Sequence, residues 1–343
     1  VLQSKLKDNK IDILIINRSD EFLNEYISPY AERLQFVTNF SGSAGKAIIL
    51  QNEAFLYVDG RYTFQAKEQI NENEIKSKHL KSFWGDLKNY VSKDNCKIAI
   101  DPKLHSIEEI QKIQEYLLTT SSYIEFLEPN IIDSIWTNKP SIEYSNIFDH
   151  PLKFSGYDRI KKLTDFKKNL KKNNIDHYLV TGLDNIAWLL NIRADDILYT
   201  PLVYAYLLIS QNEKASLYIS KDKINEQLQS EIKENINIYS IDNIENIFSN
   251  INNGEGVGLD FSATTYYFLT LLEKNNIKYK DIINSCILSK AVKNQIEQKG
   301  ALNANIRDGV SITRFIYWLK NEMDINSTNE ILASNYLKSL RVN

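Results

Sequence analysis

Short runs of branched and aromatic residues alternate along this chain with longer segments whose apolar residues recur every three or four positions. In the first half the runs are "IDILII" (11–16), "QFVTNF" (35–40), "KAIIL" (46–50), "AFLYVD" (54–59), "KIAID" (97–101) and "YIEFLE" (123–128). Their length and their content of Ile, Val, Tyr and Phe predict strands. "TFQAKEQI" (63–70) and "SIEEIQKIQEYLL" (106–118) carry helical spacing, and Ser106 followed three residues on by Glu109 predicts a capping box.

The pattern then repeats. "LKDNKIDILIIN" from Leu6 aligns with "LKKNNIDHYLVT" from Leu170 at an offset of 164. "ERLQFVTNF" from Glu32 aligns with "DNIAWLLNI" from Asp184 at an offset of 152, and "IILQNEAFLYV" from Ile48 aligns with "LISQNEKASLYI" from Leu208. Three blocks in one order predict two copies of an α/β domain, each a mixed sheet flanked by helices. The break falls in residues 136–156, where prolines and a glycine interrupt any period.

A third segment opens near Ser289. "KAVKNQIEQKGALNANIRDGVSITRFIYWLKNEM" predicts one long helix or a bent pair, with Ile312, Phe315, Ile316 and Leu319 on one face. "STNEILASNYLKSL" adds a second helix behind a capping box from Ser327 to Glu330. Two helices with one apolar face each cannot build a core alone, so the segment is expected to open a third domain whose remainder is absent. "IKKLTDFKKNLKK" (160–172) is a basic amphipathic pattern, with Ile160, Leu163, Phe166 and Leu170 on one side. It is expected to be a packed first helix with solvated lysines, the membrane-surface reading being the lesser one.

At 343 residues, 43% hydrophobic and 25% charged, the chain has the composition of a globular protein of two to three domains. A net charge of −3 offers no field for a polyanion, so no nucleic-acid partner is expected. No apolar run approaches the ~20 residues of a membrane span, so no membrane partner is expected either. Cys96 and Cys286 lack the spacing of a disulfide or zinc framework, which suits a reduced, cytoplasmic setting. The chain begins at Val1, so an organellar address stays open.

"TNFSGSAGKAIIL" (38–50) tempts toward a phosphate cradle or a nucleophile turn. A P-loop fails twice, since Phe40 stands where its first glycine belongs and Ala47 where its Ser or Thr belongs. A nucleophile elbow fails because Ser41 replaces its first glycine and a strand follows, so Ser43 is a poor nucleophile. What remains is a turn between two strands, with Gly42 and Gly45 expected at positive φ. His79, His105, His150 and His177 are scattered and carry no metal-ligand spacing. Asp59-Gly60-Arg61-Tyr62 ends a strand and opens a helix; Arg61 is either an exposed anion-binding group or a buried brace. "IRADDILYTPLVY" (192–204) either walls a cleft or carries solvated acids, Asp195 and Asp196.

The segments "FVTNFSGSAGKAIIL", "LYVDGRYTFQA", "DSIWTNKP", "LDNIAWLLNIRADDILYTPLVYAYLLI" and "AVKNQIEQKGALNANIRDGVSITRFIYWL" resemble the three-domain members of the aminopeptidase P (Xaa-Pro aminopeptidase) branch of creatinase-like metallopeptidases. The resemblance covers nearly the whole chain in the family's order. It implies a creatinase N-terminal-like domain I at 1–150, a domain II at 151–288, and the opening helices of a pita-bread catalytic domain at 289–343. It further implies a homodimer that removes the residue before a proline from peptides, with two divalent metal ions, manganese being usual. The family's metal ligands lie beyond the opening helices, so no metal ligand and no catalytic residue falls on this sequence. Phe40, Ser43, Arg61 and Tyr62 are the expected substrate-side residues.

Two readings follow: the non-catalytic portion of a metal-dependent Xaa-Pro aminopeptidase, inactive alone, or a stand-alone two-domain scaffold. The apolar helices after Ser289 favour the first.

Overall fold

A computed structural model describes residues 1–343 apart from 93, 94, 325 and 343. The described residues form two compact units: Val1–Asp149 with Arg159–Cys286, and His150–Asp158 with the residues from Ile287 onward.

The first unit holds two six-stranded sheets. One contains β1 (Ile13–Asn17), β2 (Lys46–Leu50), β3 (Ala54–Val58), β4 (Lys76–His79), β5 (Lys97–Ile100) and β6 (Tyr123–Phe126), in the order β4-β3-β2-β1-β5-β6. After the two-residue strand β7 (Phe148–Asp149) comes β8 (His177–Val180). Antiparallel to β7 runs β9 (Ile192–Arg193). Next are β10 (Ala205–Ser210), β11 (Ala215–Ile219), β12 (Ile236–Ser240), β13 (Gly256–Leu259) and β14 (Lys278–Asp281). The second sheet runs β12-β11-β10-β8-β13-β14, which is the first order repeated. In each, the second strand pairs antiparallel with the first, while the fifth lies parallel to the first on its other side.

The duplication extends to single hydrogen bonds. Asp12 accepts from the Lys97 amide at 2.8 Å, and its counterpart Asp176 accepts from the Gly256 amide at 2.9 Å. Gln51 donates to the Ile11 carbonyl, as Gln211 does to that of Ile175. Lys10 and Asn174, which the alignment pairs, share a left-handed backbone with φ of 53° and 55°.

Every residue of β1 is buried, which explains its unbroken apolar run. Pleating sends Ile13 and Ile15 to one face and Leu14 and Ile16 to the other. The faces serve different cores: Leu14 and Ile16 join Ile49, Leu56 and Val58 in a core private to the first repeat. Val180, Leu207 and Leu217 do the same in the second. Ile13, Ile15 and Tyr57 meet Leu179, Tyr206 and Leu208 in a cluster that both repeats share.

"QFVTNF" is not a strand. Arg33–Thr38 is a helix, because Leu34 and Thr38 are buried at i and i+4 while Gln35 and Phe36 face outward. It ends on Asn39 in the left-handed conformation, φ 62°. Its aligned counterpart "AWLLNI" likewise lies in a helix, Leu183–Leu190, ended by Asn191 at φ 50°. Equivalence survives; the element type was misread from β-favouring Phe, Val and Thr. The Lys-rich edge strand β4 escaped the pattern because it has no buried face to imprint one.

Helix Ile107–Leu117 starts at Ser106 as expected, with Ser106 accepting from the Glu109 amide. The reciprocal half of the capping box is missing, since the Glu109 carboxylate is held by Asn17, His105 and Lys46. In helix Arg159–Lys172, Leu163, Phe166 and Leu170 are buried, but Ile160 lies 51% exposed. Lys162 is buried on the apolar side, donating to the Trp188 carbonyl and Asn191 side chain at the end of a neighbouring helix.

In the second unit Gln295–Asn321 is one continuous helix of 27 residues, and Glu330–Val342 packs on it through Trp318 and Tyr336, ring centroids 4.3 Å apart. The long helix begins with a capping box on Asn294 and Glu297. Asn294 also donates to the Ser155 carbonyl, and Gly156 at φ +73° leaves the space: a Cβ there would stand 2.5 Å from the Asn294 oxygen. The shorter helix is capped by Asn329, not Ser327, whose hydroxyl turns to Asp324. Ile306, Val310, Ile331 and Leu332 stay exposed.

Asp20, in the loop after β1, is fully buried and accepts from the Phe22 and Asn24 amides and the Asn24 side chain. Burial raises its pKa from 3.8 to about 6 against the opposing hydrogen bonds from Asn24 and Phe22. The folded chain therefore holds this proton to higher pH than the unfolded chain, and stability falls as pH rises from about 4 to about 6. Asp20→Asn removes the charge and keeps the acceptor for the Phe22 and Asn24 amides, with the Asn24 side-chain amide turning to accept in place of donating. Denaturant unfolding should show the variant gaining on the parent by about 2 kcal/mol between pH 4 and pH 7; a pH-independent difference would refute the buried charge.

Candidate functional site

The loop after helix Arg33–Thr38 runs from Phe40 to Gly45 into β2. Phe40 is 1% exposed, so it anchors the loop and cannot touch a ligand. Gly42 and Gly45 are not at positive φ. Their role is close packing: a Cβ on Gly42 would stand 2.1 Å from the tip of the Phe40 ring, and one on Gly45 3.1 Å from Leu34. The positive φ belongs to Asn39.

Side chains clamp the loop from both sides. Ser41 is tied to helix Thr63–Gln69, its amide donating to Gln69 and its hydroxyl accepting from Gln65 and Gln69. Arg18 donates to the Ser43 carbonyl at 3.1 Å and pairs with Glu32 at 2.6 Å. Burial pushes the Glu32 carboxyl up, opposed by that guanidinium. The Ser43 hydroxyl meets the Tyr62 hydroxyl at 2.5 Å, and Tyr62 stands edge-on to Phe40. The structure thus brings together Phe40, Ser43 and Tyr62.

Arg61 is not a buried brace. Its side chain is 67% exposed and folds back on Asp59 in the same turn, 2.7 Å away, with the guanidinium over the Tyr62 ring at 5.1 Å. That pairing holds the Asp59 carboxyl below its ordinary range. Beside it Phe64 is 84% exposed. The corner therefore offers a cation, a hydroxyl pair and an aromatic face to solvent, with a rigid apolar footing beneath.

Two further groups escaped the sequence reading. At the ends of β1 and β2, Asn17, Lys46, His105 and Glu109 form a largely buried polar cluster. Burial would raise the Glu109 carboxyl; the charges of His105 and Lys46 overcome it and hold it well below the usual range. In the second repeat Tyr206 and Phe268 occupy the places of Lys46 and Glu109, ring centroids 4.9 Å apart. Between the repeats lies a cavity of about 800 Å³ that includes Glu21, Arg33, Asp101, Tyr144 and Tyr206 in its wall. No local motif marks it, because its walls come from both repeats.

His79 caps a short turn, His105 and His177 bond to Glu109 and Glu255, and His150 stacks on Phe154. Among the described residues, no group of three or more His, Cys, Asp or Glu could hold a metal ion. In the loop 192–204, Asp195 is exposed. Asp196 is buried, accepting from Ser145 and the Tyr204 amide. Tyr204 and Ser28 join that loop to the first repeat at 2.8 Å, and Tyr199 stands 87% exposed.

Residues 1–128 and 138–297 each match a family described as Creatinase/Prolidase N-terminal domain. The chain thus carries two such domains in tandem and belongs to the aminopeptidase P branch of the creatinase-like metallopeptidases. It is similar to the probable Xaa-Pro aminopeptidase P of Paracoccidioides lutzii, 29% identical over 357 residues that cover 99% of this chain and 58% of that protein. The protein of the same description from Coccidioides posadasii (strain RMSCC 757 / Silveira) is 28% identical over 356 residues, with the same two shares. The crystal structure of X-prolyl aminopeptidase from Caenorhabditis elegans, described as a cytosolic enzyme with a di-nuclear active site, matches with a TM-score of 0.85 at 25% identity. The match covers 97% of this chain and 55% of that one. The chain spans somewhat over half the length of these relatives.

The glycine packing is directly testable. Gly42→Ala should lower stability by about 1–3 kcal/mol through overpacking against Phe40, and Phe40→Ala by about 3–5 kcal/mol through the cavity it leaves. Gly60→Ala, where a Cβ meets nothing within 4 Å, should leave the melting temperature unchanged. Equal effects at Gly42 and Gly60 would show that the loop tolerates a wider backbone.

Proposed function

We propose that this chain is the non-catalytic N-terminal portion of a metal-dependent Xaa-Pro aminopeptidase, which removes the residue preceding a proline from peptide substrates. The observation that carries the reading is coverage: a chain built on tandem creatinase N-terminal domains aligns over 99% of its length with a relative of which the alignment covers 58%. In this reading residues 1–150 and 151–288 are the two accessory domains, and 289–343 are the opening helices of a pita-bread domain. The exposed Ile306, Val310, Ile331 and Leu332 suit helices that a further layer covers.

The complete enzyme of this reading is a cytosolic homodimer using two divalent metal ions, manganese by preference. Its donor set does not fit this chain, where no three ligand-type side chains converge among the described residues. No catalytic step is therefore derived from these residues. Their part is binding: the exposed Arg61 guanidinium meets a peptide carbonyl or carboxylate, and the Ser43–Tyr62 hydroxyl pair offers a further donor. Phe40 supports that wall from behind.

Incubating the 343-residue chain with manganese and an Arg-Pro-Pro peptide should release no free arginine. Release that survives purification and vanishes with chelator would overturn the reading. A longer product carrying the catalytic domain should cleave the peptide. In that product Arg61→Ala should lower kcat/KM on tripeptides and longer substrates by about tenfold, the loss of one charge-assisted hydrogen bond. Unchanged kcat/KM in a folded variant would reduce Arg61 to its local pairing with Asp59.

A further inference from the structure

The cavity between the two repeats has the size of a small-ligand site, about 800 Å³, and an aromatic wall that includes Phe22, Tyr144, Tyr206 and Tyr267. Phe40, Ser43, Arg61 and Tyr62 do not line it. Its charges are unevenly matched. Lys103 is taken by Glu128 at 2.7 Å and Lys139 by Asp133 at 2.7 Å. Asp101 is 9% exposed and raised in pKa by burial, and it makes no ion pair among the described residues. Its partners are neutral donors, the Asn130 side chain and the Lys103 amide. At the rim, Asp242 accepts the Ser240 hydroxyl and makes no ion pair among the described residues. The wall therefore has negative charge to spare beside aromatic faces, the surroundings that hold an organic ammonium.

The same wall holds an unmet donor. Arg33 is 3% exposed, grips Asp133 through Nε at 2.8 Å and Nη2 at 3.0 Å, and reaches Glu21 through Nη2 at 3.4 Å. Its Nη1 is buried without a hydrogen-bond partner. A buried guanidinium N–H left unpaired is costly, and an incoming carboxylate satisfies it with a charge-assisted bond.

We propose that this interdomain cavity binds a short zwitterionic peptide of two or three residues, its terminal carboxylate on Arg33 and its ammonium toward Asp101 and Asp242 among the aromatic rings. Such a ligand answers the spare negative charge and the unmet Nη1 donor at once, which neither a simple amine nor a simple acid does. It also bridges the repeats, since Arg33 and Asp101 belong to the first and Asp242 and Tyr206 to the second. The site stands apart from the Arg61 corner and does not depend on the catalytic reading above.

Calorimetric titration of the 343-residue chain with Ala-Ala-Phe, its N-acetylated form and its C-terminal amide tests both charges. The free peptide should bind, and each blocked form should bind at least tenfold more weakly. Asp242→Asn, an exposed substitution, should narrow the penalty for acetylation, Asp101 keeping the remainder. Arg33→Lys should narrow the penalty for amidation, and retained folding is checked by its melting temperature. Equal binding of all three peptides would overturn the proposal. So would absence of heat at millimolar concentration. Tighter binding of the amide than of the free peptide would instead make the cavity a site for amines alone.

Discussion

The two repeats are joined by a reciprocal capping of helix ends, and the rest of the first unit is arranged around it. Helix Ile107–Leu117 begins with amides that its own turns cannot satisfy, as does helix Tyr266–Lys274. Each finds acceptors in the other repeat. Ile107 donates to the Thr264 carbonyl at 3.0 Å and Tyr266 to that of His105 at 2.9 Å. Glu108 donates to Phe261 at 3.1 Å and Tyr267 to Pro102 at 3.0 Å. Donors and acceptors in each pair are related by the same sequence offset of 159, which describes a local twofold axis. Moving one repeat would strand buried amides in both, so the join resists sliding as well as separation.

That constraint explains where the molecule keeps its polar chemistry. Because the helix starts meet at the axis, the sheet faces beside them bury Ile13, Ile15, Leu179 and Tyr206 in one common core. Phe22 from the first repeat stacks between Tyr204 and Tyr206 of the second, at 4.9 and 4.7 Å. Off the axis the two surfaces do not close completely, and the cavity around Arg33 is the residue of that mismatch. The repeats have also diverged there. Lys46 and Glu109 keep an ion pair in the first where Tyr206 and Phe268 pack as rings in the second. Tyr206 and Phe268 lie in the core shared with the first repeat, where burial of apolar area is favourable.

The corner around Phe40 shows the same economy on a smaller scale. Its glycines serve packing and not backbone freedom, since the aromatic ring fills the volume that side chains at Gly42 and Gly45 would need. The turn's left-handed step is taken by Asn39, whose amide side chain donates to the Gln69 carbonyl. Ser41, Gln65 and Gln69 then hold the loop on helix Thr63–Gln69, leaving Ser43, Tyr62 and Arg61 at the outer edge. A rigid footing under exposed polar groups is what a binding surface needs.

The sequence by itself determined the repeat, the mixed-sheet class and nearly all strands of the first copy, because buried strands must be apolar on both faces and therefore write themselves as β-branched runs. It also marked "TNFSGSAGK" as special while misassigning the glycines, since composition does not distinguish a position needing positive φ from one needing empty space. Helix or strand for "QFVTNF" was undecidable from propensity, because six residues carry too little period to separate the two. Only the tertiary structure decided that Arg61 faces solvent, that Lys162 is buried on a helix end, and that Arg33 shares a cavity with Asp242, 209 positions away in the chain. Those outcomes depend on which surfaces the twofold join brings together, a contact between residues too distant in sequence for any local pattern to record.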